Sequence, residues 1–93
     1  MKIGLLQIAL HVPASGSLKH KRRHLQSLKQ EIRNKFNVSV AEVDHHDQWQ
    51  RIDLAVVMVS TEAAYIDRVF SEIVKAIARR TELEILDESR EML

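Results

Sequence analysis

The 93-residue chain has no cysteine, one proline, two glycines and one tryptophan. Without cysteine there is no disulfide framework, no thiolate nucleophile and no cysteine-ligated zinc or iron–sulfur centre, so any metal would need histidine and carboxylate ligands. So little glycine and proline excludes a low-complexity chain, and 45% hydrophobic with 29% charged residues is an ordinary globular balance. No apolar run approaches the roughly eighteen residues of a membrane span. The opening Met1-Lys2-Ile3-Gly4-Leu5-Leu6 leads straight into an alternating pattern with no leader-like segment. A cytoplasmic address without membrane association is the expectation. The length suits a single domain over residues 1–93. There is no glycine-rich phosphate loop and no serine or threonine paired with an evident base, so the reading is a non-enzymatic protein without a cofactor.

Net charge is small overall, and charge of each sign is strongly divided along the chain. The formal net charge is +1, yet residues 1–37 hold eight basic side chains against one acid, Glu31, while residues 38–93 hold six basic and twelve acidic ones. Such asymmetry points to an anionic partner, or to two halves that neutralise each other across the fold.

Hydrophobic spacing lays out the elements. Residues 2–12 alternate, with Leu6, Ile8, Leu10 and Val12 on one parity, and read as a strand. After the turn-forming Pro13-Ala14-Ser15-Gly16-Ser17, the residues Leu18, Leu25, Leu28, Ile32 and Phe36 recur at helical spacing, with Ser17 as N-cap. Val38–Val43 and Ile52–Val59 are β-rich runs, and the polar segment between them, Asp44 to Gln50, is a hairpin loop. Ser60 or Thr61 is placed to cap a second helix whose buried stripe is Ile66, Val69, Phe70, Ile73 and Ile77. A last strand covers about Leu83 to Asp87, with its far end left open by the pattern. The order β-α-β-β-α-β predicts an α+β, ferredoxin-like two-layer sandwich, a four-stranded antiparallel sheet with both helices on one face. In that topology Pro13–Arg23, Asp44–Arg51 and Arg79-Arg80 meet at one pole.

Three segments carry a family resemblance: Ser17-Leu18-Lys19-His20-Lys21-Arg22, Phe36-Asn37-Val38-Ser39-Val40-Ala41-Glu42-Val43 and Asp47-Gln48-Trp49-Gln50-Arg51. In this order, over almost the whole chain, the sequence resembles the small bacterial YlxP-like family. The resemblance implies the same ferredoxin-like fold and membership of a domain family of unknown function. It also implies genes that tend to lie beside those for translation and ribosome-maturation factors. The pair His45-His46 lies outside the resembling pattern.

Three candidate sites follow from the residues. Lys19, Lys21, Arg22 and Arg23 crowd the first two turns of helix one, where the macrodipole disfavours positive charge by about 0.3–1 kcal/mol each. Lys19, Arg22, Arg23, Lys29 and Arg33, with Gln26 and Gln30 between, share one broad stripe beside the buried face, and Ser17, Lys21, Trp49 and Arg51 lie at the same pole. This constellation predicts a phosphate-contact surface for RNA or a ribosomal particle, unless Glu42, Asp44 and Asp47 of the hairpin neutralise it. Trp49 is either a stacking platform for a base or a cover for a sheet edge. The open sheet face (Leu5, Ala9, Ala55, Val57 and Val59) predicts a homo-oligomer, and the alternative function is a protein-interaction module using that face and Trp49. A metal-dependent hydrolase built on His11, His20, His24, His45, His46, Asp44 and Asp47 is a distant third. Three cations fill the gap between His20 and His24, and the histidines read as solvent-facing.

Overall fold

A computed structural model describes all residues 1–93. Strand β1 (Lys2–His11) is followed by helix α1 (Leu18–Lys35), strands β2 (Ser39–Asp44) and β3 (Arg51–Ser60), helix α2 (Ala63–Ala78) and strand β4 (Glu84–Met92). The sheet order is β2-β3-β1-β4 and every neighbouring pair is antiparallel. This is the ferredoxin-like α+β arrangement, with β1 and β3 central.

Alternation does what its period requires. Leu6, Ile8, Leu10, Ile52, Leu54, Val56 and Met58 point to the helix side and are buried, together with Leu25, Leu28, Ile32, Ile66, Phe70, Ile73 and Ile77. The register pairs Leu5 with Val57, Gln7 with Ala55, Ala9 with Asp53 and His11 with Arg51 on the opposite, open face. Close packing of α2 on β1 depends on Gly4, because a Cβ there would lie 2.5 Å from Ile66 Cγ2 and 3.0 Å from the Phe70 ring.

Two boundaries differ from the expectation. Helix α2 begins after Glu62, which makes no side-chain cap; neither Ser60 nor Thr61 is the N-cap, although Ser60 Oγ accepts from Glu62 N at 3.4 Å. Strand β4 runs to Met92 because β1 offers it a ladder as far as Gly4, so pairing overrides a run rich in charge.

Candidate anion-contact surface

The pole forms as the topology requires. Val12 N donates to Gln50 O at 2.9 Å, and the Gln50 amide donates to Pro13 O and Ser15 O at 3.2 and 3.1 Å. These bonds hold the β2–β3 hairpin against the segment entering α1. Arg80 reaches α1 further along, at Ser27 and Glu31, rather than joining the hairpin.

Helix α1 is capped by Ser17, whose Oγ accepts from His20 N at 3.1 Å, so that oxygen is committed to the helix rather than to a ligand. The first turn contains no acid. Lys19, Arg22, Arg23 and Arg33 are exposed and Lys29 is half-buried, and Gln26 and Gln30 lie exposed among them. At about 1.5 Å per residue the stripe from Lys19 to Arg33 is ~21 Å long.

One member of the crowd turns inward. Lys21 is 1% exposed, and its Nζ donates to His45 O at 2.6 Å and His46 O at 3.4 Å while sitting 2.8 Å from Glu42 Oε2. Buried Glu42 Oε2 has no hydrogen-bond partner of good geometry and is held by that charge, while Oε1 faces His46 Nδ1 at 2.9 Å. Burial alone would raise the Glu42 carboxyl, but the Lys21 ammonium against Oε2 and the His46 ring against Oε1 outweigh it and hold the group below the ordinary range. Lys21 therefore leaves the predicted contact surface: a buried ammonium needs polar partners, and the fold supplies two carbonyls and a carboxylate from within.

Arg51 leaves it too. Its guanidinium grips Asp53 through Nε and a terminal nitrogen, both at 3.1 Å, and stands on the open sheet face. Burial would raise the Asp53 carboxyl, yet Arg51 and His45 hold it low. Three of the five histidines, His11, His45 and His46, also contact carboxylates, whereas His20 is exposed. His45 Nδ1 contacts Asp53, His46 contacts Glu42, and His11 contacts Glu84, so the adjacent pair His45 and His46 diverges. No three His, Asp or Glu side chains converge into a metal-binding group.

Internal neutralisation of the remaining stripe does not occur. Lys19, Arg22, Arg23, Lys29 and Arg33 form no ion pair. Arg33 donates to Val40 O at 3.2 Å. Asp44 turns to the His45 backbone, Asp47 pairs with no cation, and Glu42 serves Lys21. Glu31, the only acid on α1, is taken by Lys35 and Arg80 at 2.8 and 2.7 Å, and those hydrogen bonds hold its carboxyl low. Lys2, Arg68 and Arg79 form no ion pair either, but Arg68 lies over the Tyr65 ring, 5.2 Å from its centroid, and none of the three belongs to α1.

Trp49 is 54% exposed at the hairpin tip. With His11, Gln48, Gln50, Arg51 and Leu86 it borders an open concavity of about 500 Å³. A second concavity, about 440 Å³, lies on the open sheet face among Gln7, Ala9, Asp44, Arg51, Asp53, Asp87 and Ser89. The larger hollows thus lie away from the basic stripe, which is a convex helix face. The sequence reading missed the inward network of Lys21, Glu42, His45, His46 and Asp53. Its signal was present, because Lys21 falls in the buried slot between Leu18 and Leu25, and Glu42 shares inward parity with Val40.

No helix is long and apolar enough to cross a membrane. Compared with known proteins, residues 3–90 match the model of a family described as protein of unknown function, DUF503. Over 82 residues the chain is 30% identical to the uncharacterized protein YlxP of Bacillus subtilis (strain 168), covering 88% of this chain and 89% of that one. The match spans both helices and all four strands, so the chain belongs to the DUF503 family, as its resemblance to YlxP-like proteins implies.

Proposed function

We propose that this is a non-enzymatic cytoplasmic protein that contacts RNA, free or within a ribosomal particle, through the exposed face of α1. The observation that carries the reading is the row Lys19, Arg22, Arg23, Lys29 and Arg33, none of which has a carboxylate partner although Lys21, Lys35, Arg51 and Arg80 all do. Several uncompensated cations at a helix start, where the dipole opposes them, leave an electrostatic demand that a polyanion fills. Strands β1 and β3 present no aromatic residue on the open face, so base stacking across the sheet plays no part, and Trp49 at the pole is the one platform for an unpaired base.

Retention of labelled single-stranded RNA across a salt series tests this. Wild type is expected to lose affinity steeply with salt, and Arg22→Ala/Arg23→Ala/Lys29→Ala to flatten the slope of log affinity against log salt by about 2, at ~0.7 per phosphate contact. Absence of salt-sensitive retention near physiological ionic strength refutes the reading. The alternative, a protein-interaction or oligomerisation module using the open sheet face and Trp49, is favoured by the exposure of Trp49 and Val59, at 54% and 58%. It gains support if association with a protein survives high salt.

A further inference from the structure

We propose that the outer edge of β4 is a docking site for a cationic, extended segment of another protein, which adds to the sheet as a fifth strand. This inference does not rest on the RNA reading. Strand β4 ends the sheet order, so one whole row of its backbone N–H and C=O groups is unpaired, and all nine of its residues are exposed. Its apolar side chains are uncovered as well: Ile85, Leu86 and Met92 are 36%, 52% and 45% exposed. The opposite edge, β2, is shorter at six residues, and Arg33 already donates to one of its carbonyls.

Charge selects the occupant. Along β4, Glu84, Asp87, Glu88 and Glu91 stand against Arg90 alone, and Arg90 is engaged by Asp67 at 2.7 Å. A second copy of this chain is a poor fit. A two-fold axis normal to the sheet pairs residues whose numbers have an even sum, and the possible centres can be taken in turn. Centring on Asp87, Glu88, Arg90 or Glu91 puts that residue against itself, centring on Ser89 sets Asp87 against Glu91 twice, centring on Leu86 sets Glu84 against Glu88 twice, and a centre nearer either end leaves only a short ladder. Like charges directly opposite destabilise a ladder, so the same side chains that reject self-pairing favour lysine or arginine in the added strand. The two faces of β4 then set the alternation. Asp87 and Glu91 share the open face with Gln7 and Leu5, whereas Ile85 and Met92 stand on the helix side beside Leu10 and Gly4, where a cavity of about 100 Å³ is lined by Asp67, Phe70, Arg90, Glu91 and Met92. The fitting segment alternates cationic residues toward the open face with small apolar ones toward α2.

The test uses the full chain and a fluorophore-labelled nine-residue peptide alternating lysine and valine, titrated by anisotropy. Wild type is expected to bind it, and Asp87→Lys/Glu91→Lys to weaken binding at least tenfold. N-methylating one alternate set of peptide amides is expected to abolish binding of the unaltered protein, while methylating the other set leaves it within threefold, the signature of a strand paired on one side. Equal effects of the two methylated peptides, or binding indifferent to the charge reversal, overturn the proposal. Concentration-dependent hydrogen-exchange protection of the β4 amides in the free protein also overturns it, since a second copy would then hold the edge.

Discussion

Removing the Lys21 ammonium tests how far the pole depends on one buried ion pair. Lys21→Met keeps the length and apolar stem of the side chain but leaves the Glu42 carboxylate, whose side chain is 14% exposed, facing a methyl group. Breaking a buried pair from one side costs about 3–5 kcal/mol. His46 still contacts Oε1, which places the loss toward the lower figure, ~3 kcal/mol within that range. For a domain of this size each kcal/mol moves the melting temperature by roughly 4–8 °C, so the variant should melt about 12–24 °C lower. The double variant Lys21→Met/Glu42→Met removes both charges, and replacing both members of such a pair is commonly near neutral. Here two carbonyls, those of His45 and His46, lose their donor but lie in a hairpin that water reaches. The double variant should therefore recover at least ~2 kcal/mol of the single loss, the scale of coupling seen between contacting residues.

The pH dependence supplies a second arm. The wild-type carboxyl of Glu42 is held below its unfolded value of about 4.3, so its contribution is complete above that pH and disappears as pH falls through the lower, folded value. In Lys21→Met burial is less opposed and the folded carboxyl rises. Its penalty is then greatest at neutral pH and relieved by protonation. The stability gap between wild type and variant should accordingly narrow from pH 7 toward pH 4. Urea melts across that range measure it, and a single variant within about 0.5 kcal/mol of wild type, the spread of ordinary surface substitutions, refutes the account.

Two further substitutions probe neighbouring features. Gly4→Ala should destabilise by about 1–3 kcal/mol, because the new methyl would press on Ile66 and Phe70, which are 0% and 1% exposed; an unchanged thermal melt would show that α2 can retreat. Ser17→Ala should cost roughly 0.5–2 kcal/mol through the lost cap. Ser17→Asp keeps a capping oxygen and adds an anion to a first turn without acids, so denaturation should show it at least as stable as wild type while RNA retention falls.

Where sequence and structure part, the reason is tertiary. The alternation of residues 2–12 and the spacing of Leu25, Leu28 and Ile32 suffice to place β1 and α1, because each buries one continuous face. Lys21 shows the limit of counting charges. In composition it belongs with Lys19, Arg22 and Arg23, but its position belongs with the leucines, and only the arrival of Glu42 from β2 makes that position tolerable. Arg51 and Asp53 sit two apart on one strand face, a spacing that already implies contact, although Arg51 in sequence borders the polar hairpin as closely as its own strand. The far end of strand β4 is illegible for the opposite reason. Its charged residues carry no inward pattern, and its extent is fixed by what β1 offers for pairing.

The sheet therefore partitions charge between two sides of a thin molecule, whose shorter extents are 22 and 19 Å. Cations lie outward on α1, and Asp87 and Glu91 lie across the sheet near β4. At physiological ionic strength the Debye length is about 8 Å, well under that thickness, so the two surfaces should act independently. Arg22→Glu/Arg23→Glu should then abolish salt-sensitive RNA retention and leave the lysine–valine peptide affinity unchanged, and Asp87→Lys/Glu91→Lys should do the reverse. In roughly 0.01 M salt the Debye length reaches about 30 Å and the independence should fail. Bound RNA would then extend its negative potential through the domain and tighten the cationic peptide, and by linkage the peptide would tighten RNA by the same factor. Anisotropy titrations of each ligand with and without the other, at both salt concentrations, measure this directly. Coupling that persists unchanged at physiological salt would mean that the two faces communicate through the fold rather than through the field.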